Sequence, residues 1–124
     1  MEKPGTIYTR ETANQLLEEV RERLVRLRQA YVEVAGHQAS MASAASGNGG
    51  DAEASRWLAS SRTAADELSW FVDRDIVVRD IEQGLIDFPG RREGREIYLC
   101  WRLGEEAVDF WHDKETGFPG RQPL

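Results

Sequence analysis

The sequence predicts a mainly α-helical protein with a small α+β C-terminal segment. The expected order is a long antiparallel helical hairpin, a three-stranded β-meander, a short helix and an irregular tail. Three observations carry this. Apolar residues recur at steps of three and four from Ala13 to Val34 and again from Ala54 to Val72. The run Ser46-Gly47-Asn48-Gly49-Gly50 between them is the strongest breaker in the chain. A β-branched run, Ile76-Val77-Val78, and two-residue alternation appear only after Asp75. The 124 residues suit one domain, divided into a hairpin over 9–75 and an aromatic-rich segment over 76–124.

Helix one begins after a short leader. Thr9 suits the N-cap, because its hydroxyl can accept from a backbone N–H that has no helical partner. Glu11 suits the positive end of the helix dipole. Ala13, Leu16, Leu17, Val20, Leu24, Leu27, Tyr31 and Val34 define one face, and Glu19 with Arg23 and Glu22 with Arg26 pair across the other. Beyond Tyr31 the face thins to Ala35, Gly36, Ala39 and Ala42, and the helix is expected to run to about residue 44, roughly 54 Å. The SGNGG run forms the hairpin tip, and Asp51 caps helix two. Ala54, Trp57, Leu58, Ala65, Leu68, Phe71 and Val72 are its expected buried stripe. It ends near Asp73 to Asp75 without a Gly, so Asp75 is expected in the left-handed conformation.

Three short strands are then expected. They are Ile76–Val78, Leu85–Phe88 and Arg95–Arg102, the last placing Ile97, Leu99 and Trp101 on one face and Tyr98, Cys100 and Arg102 on the other. Pro89-Gly90 opens a polar loop to Gly94, since Pro followed by Gly is turn chemistry. Gly104 ends the third strand. Glu105 to Asp113, with acids at its start, reads as a short helix, and Thr116 to Leu124 as irregular chain anchored by Phe118.

The net charge of −6 argues against a nucleic-acid partner and against an anionic membrane surface. A single cysteine, Cys100, excludes an internal disulfide and fits a reducing, cytoplasmic setting. Met1 to Gly5 shows no signal-peptide core, and no stretch has the roughly 20 apolar residues that span a bilayer.

Two readings of the chemistry stay open. His112, with Asp109 and with Asp87 or Glu105 nearby, forms a mixed set that suits a divalent metal; a histidine bonded to a backbone carbonyl is the alternative. Cys100 with His112 is a conceivable nucleophile and base, whereas a strand-interior cysteine is ordinarily a small buried hydrophobe. The aromatic cluster Tyr98, Trp101, Phe110, Trp111 and Phe118 comes with Arg95, Arg102 and Arg121. Such a mix either holds a carboxylate or phosphate in a pocket or is a small core with guanidinium groups stacked on rings. No phosphate loop, dinucleotide fingerprint or Ser-His-Asp pattern is present.

The C-terminal run Gly84-Leu85-Ile86-Asp87-Phe88-Pro89, Gly94 to Glu105, Trp111-His112, Gly117-Phe118 and Gly120-Arg121-Gln122-Pro123 resembles the prokaryotic "domain of unknown function 2203" family, as do Tyr8-Thr9 and Glu11-Thr12-Ala13-Asn14. The family has no biochemical activity to carry over. The resemblance implies a signature at Asp87, Arg95, Tyr98, Cys100, Trp101, Arg102, Glu105, Trp111, His112 and Arg121. The chain departs from the family pattern in its longer hairpin tip and in Asp75, where Gly is usual.

The expected function is a non-enzymatic interaction or small-ligand-binding module. The long apolar stripe of helix one outruns a shorter partner helix, which points to a homodimer built through the hairpin. The alternative is a small metal-dependent or Cys/His-dependent enzyme using the C-terminal cluster.

Overall fold

The computed structural model describes residues 5–43 and 50–124. Helix α1 spans Arg10–Ser43 and α2 spans Gly50–Asp73, with 34 and 24 residues. Five strands follow: β1 (Val77–Asp80), β2 (Leu85–Arg92), β3 (Arg95–Arg102), β4 (Phe110–Asp113) and β5 (Gln122–Pro123). They form one antiparallel sheet in sequence order, an up-and-down meander. The hairpin tip apart from Gly50, the end of helix one past Ser43 and the Asp51 side chain fall outside the described residues.

The helix boundaries follow from capping. Thr9 Oγ1 accepts from the Thr12 N–H at 3.1 Å, and Thr12 Oγ1 accepts in return from the Thr9 N–H at 2.8 Å. This is the reciprocal logic of a capping box. At the other end Asp75 takes φ 61, and Asp75 N–H donates to Val72 O while Ile76 N–H donates to Phe71 O. Those two bonds are a Schellman motif built on Asp in place of Gly.

The leader ties the hairpin to the sheet. Tyr8 N–H donates to Pro89 O and the Tyr8 hydroxyl donates to Arg74 O, both at 2.7 Å. Thr6 N–H donates to the Asp75 carboxylate at 2.8 Å. On α1, the Asn14 side chain bonds both the N–H and the carbonyl of Val108. Leu17, Val20, Leu24 and Leu27 then bury against Trp70 and Phe71 of α2 and against Ile86, Phe88, Ile97, Leu99, Trp101 and Trp111 of the sheet.

The fold class differs from the expectation: the sheet has five strands in place of three, and Glu105 to Asp113 forms no helix. Phe110–Asp113 is strand β4, with Trp111 facing the helices and Phe110 and His112 the other side. The acids that suggested a helix start do other work, since the Glu105 carboxylate accepts from Arg102 N–H at 2.7 Å and closes the turn after β3. The tail contains a 3-10 turn at Phe118–Gly120 and the short strand β5. Pro89-Gly90 lies inside β2, and the reversal is a two-residue turn at Glu93-Gly94, with φ 52 and 78. Pro89 fits because its carbonyl points to Tyr8, so its nitrogen faces away from β3 and no ladder bond is lost.

The hairpin also differs from the pattern read on α2. Trp57, Ser60, Ala64, Glu67 and Phe71 turn inward, with Ser60 and Glu67 buried, while Leu58, Leu68 and Val72 are 45%, 39% and 64% exposed. Glu67 is buried because Arg23 and Arg26 hold it at 3.3 and 3.2 Å. Arg26 therefore reaches across to α2, whereas Glu19 and Arg23 meet as expected at 3.6 Å.

The turn geometry makes a testable distinction. Both Gly84 and Gly94 have positive φ, but a Cβ at Gly84 would lie 2.6 Å from Leu103 Cβ while one at Gly94 meets nothing within 4 Å. Gly94→Ala is expected to cost about 1–2 kcal/mol, the left-handed strain alone. Gly84→Ala should cost clearly more, and urea unfolding of the two variants measures the difference.

Candidate functional site

The sheet has two faces, and strand alternation sorts the signature residues between them. Asp87 of β2 is paired with Cys100 of β3, and His112 of β4 is paired with Tyr98 of β3, so all four share the face turned away from the helices. Asp87, Cys100 and His112 are at most 2% exposed. The donor atoms of these three side chains lie within 4.8 Å of one another.

Hydrogen bonding fixes the imidazole. His112 Nδ1 faces the Asp113 carbonyl at 2.7 Å, and Nε2 faces Asp87 Oδ1 at 2.9 Å. A carbonyl only accepts, so Nδ1 carries hydrogen. The other carboxylate oxygen, Oδ2, accepts from Arg79 Nε at 2.8 Å. This bond holds the Arg79 guanidinium above its ordinary range and fully charged. The Arg79 guanidinium in turn lies 4.9 Å from the Tyr98 ring centre, and that ring lies 5.6 Å from the His112 ring.

Without a metal ion beside it, the Cys100 thiol is hard to deprotonate. Burial, reinforced by the Asp87 charge, pushes it up to about 12 against the smaller opposing pull of Arg121. Arg121 is itself bound to Glu105 at 2.9 Å and stacked between Phe110 and Phe118 at 4.1 and 4.2 Å.

The remaining signature residues lie elsewhere. Trp101 and Trp111 face the helices, where Trp101 Nε1 donates to Glu105 O. Arg95 pairs with Asp113 at 3.4 Å near the β2–β3 turn, and Arg102 is exposed. Asp109 is bound to Arg10 of α1 at 2.7 Å, apart from His112. Arg79 went unread in the sequence; it sits at a register irregularity between Val78 and Asp80, and its bond to Asp87 is what puts it on this face. A cleft of about 600 Å³ lies alongside, lined by Thr6, Asp75, Pro89, Glu96, Tyr98 and Lys114 among others. Tyr98 stands between it and His112.

A profile of uncharacterized conserved proteins, DUF2203, matches residues 6–124. The chain belongs to this family. No curated protein and no solved structure matches it. Among the described residues, no helix is long and apolar enough to cross a membrane. Family membership thus covers both the hairpin and the sheet, including every residue of the buried polar group.

Two expected outcomes follow from burial. His112→Gln removes a buried ring bonded at both nitrogens and should cost about 1–3 kcal/mol, whereas Arg102→Met at an exposed position should stay within about 0.5 kcal/mol; thermal melting compares them. In metal-free protein the unfolded chain gives up the Cys100 proton near its ordinary value of 9.0 while the folded chain holds it to about 12. A folded value raised above the unfolded one stabilises fully at lower pH, so this contribution is lost as pH rises from about 9 towards 12. Cys100→Ala should flatten that part of the alkaline stability curve, leaving a remainder from Tyr8, whose hydroxyl burial also raises.

Proposed function

We propose that this DUF2203 member is a non-enzymatic interaction module that pairs with a second copy of itself through the helical hairpin. The observation that carries the reading is the inversion on α2. The row facing α1 buries Ser60 and Glu67, while the row Leu58, Leu68 and Val72, with Ala54 and Ala65 in step, faces outward. Steps of four, seven, three and four along that row keep it on one side of the helix, as a helix-packing surface requires. On α1 the described core stops at Ala30, and Tyr31 and Val32 are 39% and 57% exposed. Two helices with so thin a shared core are marginal by themselves, and a second hairpin supplies the missing apolar layer.

The buried group on the sheet supports a structural part in preference to nucleophilic catalysis. Without a metal ion the thiol is held protonated, and both imidazole nitrogens are engaged. A nucleophile needs a thiolate and a free base. The guanidinium groups of Arg79, Arg95 and Arg121 are each committed to a carboxylate, which leaves less to hold an anionic ligand.

Light scattering at micromolar concentration should give about twice the chain mass of 14.1 kDa. Leu58→Glu together with Leu68→Glu should give a monomer with unchanged far-ultraviolet circular dichroism below its melting point. A wild-type protein of monomeric mass would overturn the proposal.

A further inference from the structure

The buried trio has a property that its hydrogen bonds leave open. With Nδ1 protonated by its bond to the Asp113 carbonyl, a neutral His112 directs the lone pair of Nε2 at Asp87 Oδ1, 2.9 Å away. Two lone pairs cannot face each other at that distance in a buried site, so a positive charge lies between them. A proton satisfies this, and so does a metal ion.

We propose that Asp87, Cys100 and His112 bind one zinc ion. Each comes from a different strand, β2, β3 and β4, so the ion would cross-link the centre of the sheet. Zinc takes sulfur, imidazole nitrogen and carboxylate oxygen at about 2.0–2.3 Å in a tetrahedron, which sets ligand atoms about 3.3–3.8 Å apart. The three donors already lie within 4.8 Å of one another, so side-chain adjustments of about an ångström close the site.

The surroundings match a zinc site in two further respects. Zinc-bound imidazoles direct their other N–H to a carbonyl or carboxylate, and His112 Nδ1 does so to Asp113 O. Ligating carboxylates are themselves hydrogen-bonded, and Arg79 holds Asp87 Oδ2, leaving Oδ1 for the ion. The carboxylate and the thiolate together match the charge of a divalent cation, and Arg121 is neutralised by Glu105. Arg79, which shares Asp87 with the ion, leaves one positive charge over on a side chain that is 43% exposed to solvent. On binding, the ion displaces the proton between Nε2 and Oδ1, and that proton and the thiol proton both leave to solvent. The mixed sulfur, nitrogen and oxygen set selects zinc over magnesium or calcium, which prefer oxygen alone. Three protein ligands leave the fourth coordination position to an exogenous ligand.

The test uses the full chain without a metal-binding tag, stripped by chelator and then given zinc, cobalt or magnesium alone. One cobalt per chain with a thiolate-to-cobalt charge-transfer band in the near-ultraviolet is expected, together with a melting temperature raised by zinc and unmoved by magnesium. Cys100→Ser should abolish the charge-transfer band, and His112→Gln should lower zinc affinity at least tenfold. Should either variant fail to fold, the wild-type cobalt spectrum decides alone. Cobalt bound without a thiolate band, no binding at micromolar metal, or an equal shift with magnesium would overturn the proposal, leaving the proton as the occupant between His112 and Asp87.

Discussion

A five-stranded sheet has two faces, and this chain has one helical layer to cover them. Most of the structure follows from that shortage. The hairpin takes the face of Ile86, Phe88, Ile97, Leu99, Trp101 and Trp111, where burial of large apolar side chains is the dominant stabilising term. The other face has to be closed by the sheet's own side chains. Arg79 covers Tyr98, Tyr98 covers His112, and Arg121 lies between Phe110 and Phe118. Flat guanidinium groups suit this task, since they spread over a ring while their charge stays paired or solvated. The polar trio is buried beneath that cover, and each polar atom must therefore be matched inside it.

The Asp87 carboxylate organises this face. Its two oxygens point in different directions, one to His112 on β4 and one to Arg79 just past the start of β1. A single side chain on β2 thus reads the register of both flanking regions of the sheet. Slipping β4 by one residue would turn His112 towards the helices and leave Asp87 Oδ1 buried without its partner. A buried polar atom without a partner is costly, so the trio specifies the pairing as well as contributing to it. Inside the hairpin, Glu67 does the same for helix register: Arg23 and Arg26 both reach it from α1. Among the described residues, Arg23 Nε and Trp70 Nε1 are buried without a hydrogen-bond partner, which lies beside that same ion cluster.

How much of this was legible in the sequence depends on whether the signal was local. Thr9, Asp75 and the alternation from Arg95 to Arg102 report local backbone chemistry, and the structure places each as read. Pro89-Gly90 has turn chemistry, yet the strand continues through it because the proline nitrogen faces the leader. Glu105 and Glu106 resembled a helix start, yet the aromatic pair Phe110-Trp111 belongs to opposite faces of a strand too short for periodicity to declare. On α2 the periodicity was correct and the partner was not. The hydrophobic row faces outward, while α1 meets the row containing Ser60 and Glu67. Nothing in a single sequence says which of two adjacent rows a neighbour covers when ion pairs can make the polar one acceptable. The candidate site was legible in its residue types, with Asp87, Cys100 and His112 all singled out, but Arg79 depended on a register that only strand pairing reveals.

The two surfaces that remain are connected by one element. Helix α1 runs unbroken from the sheet to the outer hairpin: Asn14 is bonded to Val108, and Tyr31 and Val32 are exposed several turns later. A continuous helix transmits rigid-body displacement along its length, because each turn is held by its own backbone bonds. Yet the outward row of α2 and the outer sheet face share no side chain, and the polar trio is closed off by Tyr98, Arg79 and Arg121 rather than by any helix. Pairing through the hairpin would therefore leave the sheet's outer face and its adjoining cleft uncovered by any α2 contact. Substitutions in the Leu58–Leu68 row and at His112 should then act additively on stability, as distant sites without common partners do. A coupling between them would have to travel through α1, and its sign and size would measure how firmly the Asn14–Val108 and Tyr8–Pro89 ties hold the sheet to the hairpin.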